Sequence, residues 1–153
     1  MIIKNIIRFE FLEAVSLGEV DRYKNILQNN GVYFIIYSTK KPSNKNFDIV
    51  GKSIVYIGKS ITDSIYSRIK KHISSIKNEL YSSGKPKTAP GKRFVSYRQS
   101  IGHNISNHWV IPCLVTDAKG YEISYMEEYF LFIFHKKNKG MPLANTFNHS
   151  NKI

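Results

Sequence analysis

Two tyrosines, an arginine, a histidine and a pair of adjacent glutamates stand in an order suited to breaking a phosphodiester. Tyr33 closes the string Gly31-Val32-Tyr33, and Tyr56 lies inside Val55-Tyr56-Ile57-Gly58. Each string sits in an apolar, β-prone run. Arg68 and His72 follow four residues apart, and Glu127 and Glu128 come later. Hydrolysis of this bond needs an activated water, charge stabilisation on a crowded phosphorus, and help for the leaving oxygen. A tyrosine hydroxyl on a rigid strand orients or deprotonates water if a nearby cation lowers its pKa. An arginine offers a planar, permanently charged fork for a phosphate oxygen. A carboxylate holds a Mg²⁺ ion that polarises the phosphate.

The elements that must position these groups are legible in outline. Asn29-Asn30-Gly31 is a turn signal, after which Val32 to Tyr37 reads as a buried strand. Ser38 to Asp48 has loop chemistry, and Ile54 to Ile57 is a second strand left through Gly58. Two such strands most simply form an antiparallel hairpin. Ser60 to Leu80 is the clearest helix, capped by Thr62 or Asp63. Its residues Ile65, Ile69, Ile73 and Ile76 recur at helical spacing, and Arg68 and His72 share one side. Phe94 to Ile101 reads as a short helix. Trp109 to Thr116 is a third strand, and Pro112 suggests an edge position or a bulge there. Ser124 to His135 is an apolar helix carrying the two glutamates. Near the N-terminus, Phe9, Leu12, Val15 and Leu17 suggest a short helix or an extended arm.

Composition sets the class. The chain has 153 residues, one domain by length, and its 42% hydrophobic content argues against disorder. Lys and Arg number 23 against 11 Asp and Glu, a formal charge of +12 that predicts a polyanionic partner, nucleic acid before anionic membrane. Cys113 is alone, so an intrachain disulfide and a cysteine zinc site are excluded. His103, His108, His135 and His149 show no metal-ligand spacing. No 18-residue apolar run occurs, which leads to the expectation of a soluble, cytoplasmic protein.

The order Gly-Val-Tyr, Val-Tyr-Ile-Gly, Arg-x-x-x-His, Glu, Asn resembles the GIY-YIG nuclease family, from Gly31 to about Asn148. The resemblance implies an α+β fold: a small, mainly antiparallel three-stranded sheet flanked by helices. It implies a nuclease domain over 31–153, with 1–30 as an N-terminal arm or helical extension. Tyr33 matches the tyrosine of the first motif, a general base or water-orienting group. Tyr56 matches that of the second, which positions water and phosphate. Arg68 matches the catalytic arginine, and His72 a residue one turn later that assists proton transfer or phosphate contact. One of Glu127 and Glu128 matches the single metal-binding glutamate. Adjacent helix positions differ by roughly 100°, so only one can face the site. Glu127 is preferred because Ile123 and Leu131 lie one turn either side of it. Asn145, in Pro142-Leu143-Ala144-Asn145, matches the late asparagine that supports the site. The interval from Tyr33 to Tyr56 exceeds that of compact members, and a long loop here is similar to the restriction-endonuclease branch. The long interval from glutamate to Asn145 is a second departure.

The expected activity is Mg²⁺-dependent DNA endonuclease, with Mn²⁺ as a substitute, serving restriction or defence. The alternatives are a nonspecific nuclease toxin, a repair or mobile-element nuclease, and a catalytically inactive DNA-binding module. Lys59, Lys71, Lys87, Lys92, Arg93 and Arg98 are the expected contacts to the DNA backbone, with the loop from Ser82 to Phe94 as a clamp. Sequence-specific cutting of both strands by one active site calls for a homodimer on duplex DNA or for sequential nicking.

Overall fold

The computed structural model describes residues 7–77, 83 and 104–145. Within them the chain is α+β, built on an antiparallel sheet of five strands. These are β1 (Phe9–Phe11), β2 (Val15–Ser16), β3 (Gly31–Tyr37), β4 (Ile54–Ser60) and β5 (His108–Val115). The helices are α1 (Lys24–Leu27), α2 (Ile65–Lys77) and α3 (Gly120–Asn138). A 3-10 helix, Leu17–Tyr23, leads into α1, and a short one, Ile105–Asn107, leads into β5. The strand order is β1-β5-β3-β4, with β2 also on β5.

The sheet is buried on both faces, which is why β3 reads as an unbroken apolar run rather than an alternation. Side chains of a strand point alternately to opposite faces. Tyr33 and Ile35 join one cluster with Val55, Tyr56 and the α2 residues Ile65, Ile69, Ile73 and Ile76. Val32, Phe34 and Ile36 join another with Ile54, Ile57 and the α3 residues Ile123, Met126, Phe130 and Phe134. The alternation therefore decides that Tyr33 looks toward α2. The isoleucine face expected for α2 is the face it buries.

Five expectations need correction. The sheet has five strands, not three, because Phe9–Phe11 and Val15–Ser16 pair with β5. Segments of three and two residues are too short to show a strand period. The strand Trp109 to Thr116 is interior, between β3 and the β1/β2 edge. Its Pro112 carbonyl accepts from Leu12 N at 2.8 Å, so the prolyl nitrogen faces the same side, into the break between β1 and β2. The ladder to β3 loses no donor, and proline is tolerated inside the sheet. Helix α2 starts at Ile65 rather than Ser60, because Lys59 and Ser60 extend β4 by pairing with Val32 and Gly31. Its cap is Ser64, not Thr62 or Asp63: Ser64 Oγ accepts from Ser67 N at 3.0 Å. Helix α3 runs longer than Ser124 to His135, started by Lys119 N donating to Glu122 Oε1 at 3.1 Å. The expected helix Phe94 to Ile101 and the loop Ser82 to Phe94, apart from Ser83, lie outside the described residues. Among the described residues no helix is long and apolar enough to cross a membrane.

Gly31 fixes how β3 begins. Its φ is +153°, and a Cβ there would stand 2.5 Å from the Cys113 carbonyl oxygen. That obstacle is backbone of the neighbouring strand and cannot rotate away. Gly31→Ala is expected to destabilise the fold by more than about 2 kcal/mol. Urea unfolding at equilibrium measures it, and an unchanged midpoint would contradict this account of the β3–β5 contact.

Candidate active site

The beginning of β3, the end of β4 and the first turns of α2 meet at one corner of the sheet. Asn29 and Asn30 hold them together. Asn29 O accepts from Ile65 N at 2.9 Å, and the Asn30 amide donates to the carbonyls of Ile61 and, at 3.0 Å, Asp63. The turn before Tyr33 is thus tied to the start of the helix that carries Arg68 and His72.

Tyr33 and His72 meet directly. Tyr33 Oη lies 2.8 Å from His72 Nε2, and both side chains are buried. Tyr56 packs against the pair with its ring tilted, its centroid 4.5 Å from His72 and 6.0 Å from Tyr33. Gly58 makes this possible. It stands opposite Tyr33 in the β3–β4 register, and a Cβ there would lie 2.5 Å from Tyr56 Cε1 and 2.6 Å from Tyr33 Oη. The two rings occupy the volume that a side chain at position 58 would take.

Burial holds the Tyr33 hydroxyl proton well above the usual tyrosine range, Tyr56 adds to this, and the Arg68 guanidinium opposes it without prevailing. The sequence-based condition that a cation lowers this pKa is therefore not met; desolvation outweighs the arginine. Arg68 is half-buried, and the same Tyr33 and Tyr56 oxygens favour its charged form.

Across the corner stands α3. Glu127 is half-buried, with Oε1 3.6 Å from Lys59 Nζ, while Glu128 is exposed on the far side of the helix. Burial raises the Glu127 pKa and Lys59 counters it, with a smaller contribution from Arg68. Lys59 Nζ also donates to Ser124 Oγ at 3.1 Å. Ser124, one turn before Glu127, was not anticipated; its i−3 spacing from that glutamate was the available signal. The geometry thus brings Tyr33, Tyr56, Arg68, His72, Lys59 and Glu127 to one corner and leaves Glu128 out.

Asn145 serves the same corner indirectly. Its Oδ1 accepts from Ile57 N at 2.9 Å and its Nδ2 donates to Ile57 O at 3.0 Å. Strand β4 is an outer strand, so these backbone groups face no neighbouring strand, and the amide takes a strand's place. Ala144 N adds a bond to Val55 O at 2.8 Å. With both amide atoms engaged on the Ile57 backbone, Asn145 positions β4. Asn145→Ala is expected to cost about 1–3 kcal/mol, because it strands a buried donor and acceptor. Amide exchange at Ile57 should accelerate with it; retained protection there would contradict the assignment.

Of the expected DNA-contacting residues, Lys59 faces Glu127 and Lys71 is exposed on α2. Lys87, Lys92, Arg93 and Arg98 lie outside the described residues. Among the described residues no three His, Cys, Asp or Glu side chains converge as a metal cluster. Comparison of the chain with protein-family models, with curated proteins and with solved structures gave no match.

Proposed function

We propose that this chain is a divalent-metal-dependent DNA endonuclease of the GIY-YIG type, and that the corner between β3, β4 and α2 is its active site. The observation that carries the reading is the buried Tyr33–His72 contact at 2.8 Å, with Arg68 on one side and Glu127 across from it. A tyrosine so desolvated is not a standing phenolate. It is suited to a relay: Tyr33 gives its proton to His72 Nε2 as its oxygen takes one from water. Arg68 is the half-buried group beside it, and an incoming phosphate would draw the guanidinium outward, pair with it through two parallel N–H donors, and open a path for water.

The donor chemistry at Glu127 fits one Mg²⁺. Hard cations take carboxylate oxygen, and Mg²⁺ keeps several waters, so a single half-buried carboxylate suffices to hold it. When bound, the ion would supply charge stabilisation to the phosphate and the leaving oxygen. Lys59, 3.6 Å from the carboxylate, is placed to turn to a phosphate once that carboxylate holds an ion. The formal charge of +12 supports a polyanionic substrate. Restriction or defence remains the proposed setting, with toxin, repair and mobile-element roles behind it.

One observation favours a second reading, a DNA-binding module without catalysis: Tyr33 is 0% exposed, as an ordinary core tyrosine satisfied by a histidine would be. Glu127→Gln separates the two. The proposal expects Mg²⁺-dependent cleavage to fall about 10²–10³-fold with DNA affinity in EDTA unchanged. A variant that cleaves like the parent contradicts the metal assignment.

A further inference from the structure

Helix α3 carries an aromatic stripe that is exposed among the described residues. Tyr121, Tyr125, Tyr129 and Phe132 are 69%, 58%, 44% and 64% exposed. They recur at i, i+4, i+8 and i+11, which is one face of a helix, opposite the face that Ile123, Met126, Phe130 and Phe134 bury against the sheet. Single exposed aromatics are ordinary; four in a contiguous stripe mark an interaction surface. Beside Phe132 the surface sinks into a hollow of about 330 Å³, lined by Glu128, Leu131, Phe132, His135 and Met141. A protruding aromatic ring and an apolar hollow of ring size therefore lie side by side.

We propose that this face is the interface of a homodimer in which two α3 helices pack antiparallel about a two-fold axis close to Phe132. A knob next to its own matching hollow is the arrangement that a two-fold axis requires, since one patch must complement itself. Phe132 of each copy enters the hollow of the other. The charges agree with the reversed direction. Glu128 and Tyr129 precede Phe132 by one turn, and His135 and Lys136 follow it by one turn. Antiparallel packing about Phe132 sets Glu128 and Tyr129 of each copy against His135 and Lys136 of the other, giving ion pairs and a cation–π contact. Parallel packing would set like charges together. An axis near Phe132 overlaps the two helices only from about Met126 to Asn138, so Tyr129 and Phe132 are the rings that the contact buries while Tyr121 and Tyr125 flank it. The aromatic area removed is on the order of 500 Å² in all, the size of a weak association. A second copy fits better than a nucleic acid because Glu128, which borders the stripe one turn before Phe132, would repel phosphate but pairs with Lys136 of a second copy. Glu127 projects to the other flank, toward Lys59, so the interface leaves that corner open. The proposal does not depend on the nuclease reading.

Sedimentation velocity of the full chain across about 1–100 μM, the range in which an interface of this size associates, provides the test. The expected result is a monomer–dimer equilibrium for the parent protein and a monomer for Phe132→Glu, with the same far-ultraviolet dichroism. Glu128→Lys should weaken association at least about tenfold through like-charge contact with Lys136, and Glu128→Lys combined with Lys136→Glu should restore it. A parent protein that stays monomeric throughout overturns the proposal, as does a Phe132→Glu variant that still dimerises. A monomeric parent whose DNA affinity falls on Phe132→Glu overturns it in favour of a nucleic-acid platform. Failure of the charge swap to restore the dimer overturns the two-fold register.

Discussion

Arg68→Ala is expected to slow phosphodiester cleavage about 10³-fold while the protein stays folded. Removing one preorganised donor from a developing oxyanion costs 10²–10³ in rate, and an arginine on a transferring phosphoryl group is worth at least as much. Arg68 has a second influence, on Tyr33: it pulls that hydroxyl's pKa down against burial. Without it the tyrosine gives up its proton still less readily, so both effects act in the same direction. Arg68→Lys should recover only a small part of the loss, because an ammonium lacks the planar fork. The stability cost is small, since the side chain is only half-buried. Initial rates on a plasmid substrate, beside melting curves for each variant, decide it. A folded alanine variant that cleaves within tenfold of the parent contradicts the role given to this residue.

The second large effect is expected at a residue with no functional group. Gly58→Ala places a methyl 2.5 Å from Tyr56 Cε1, 2.6 Å from Tyr33 Oη and 2.7 Å from Tyr33 Cζ. Neither ring has room to retreat, for Tyr33 is already in contact with His72 and Tyr56 packs against both. Overpacking of this kind costs about 1–3 kcal/mol, and here it also shifts the hydroxyl from its partner. A displacement near 1 Å costs about 10²-fold in rate, so both stability and cleavage should fall. The cause can be isolated with a double variant. In a Tyr33→Phe background the hydroxyl that meets the new methyl is gone, so Gly58→Ala should then destabilise less. Chemical denaturation of the four proteins of the cycle gives the coupling. Additive penalties would mean that the glycine is needed for some reason other than the Tyr33 hydroxyl.

Much of this corner was legible before the structure, for a physical reason in each case. The hairpin and the α2 face follow from continuous β-branched runs and from isoleucines at helical spacing, signals that burial writes strongly. The preference for Glu127 over Glu128 rested on Ile123 and Leu131 one turn either side of it, and both of these are buried, with Glu127 half-buried and Glu128 exposed. The misses lie where tertiary context overrides a local rule. Pro112 sits in an interior strand because its missing donor happens to face a gap, a direction that no local rule carries. Lys59 and Ser60 look like the start of a helix but are held extended by Val32 and Gly31 across the hairpin. The Tyr33–His72 contact needed the knowledge that β3 turns Tyr33 toward the helix layer. The condition of a lowered tyrosine pKa is not met because sequence shows the cation but not the depth of burial that outweighs it. Asn145 was placed near the site, but its hold on the Ile57 backbone depends on β4 being an outer strand.

The account stands most directly on one measurement: incubation of the purified chain with supercoiled plasmid in Mg²⁺ and, in parallel, in EDTA. It predicts nicked or linear product in Mg²⁺ and intact plasmid in EDTA. Plasmid that is bound by the protein yet remains uncut in both Mg²⁺ and Mn²⁺ would contradict it, and would leave the Tyr33–His72 pair as a packing feature of a DNA-binding domain.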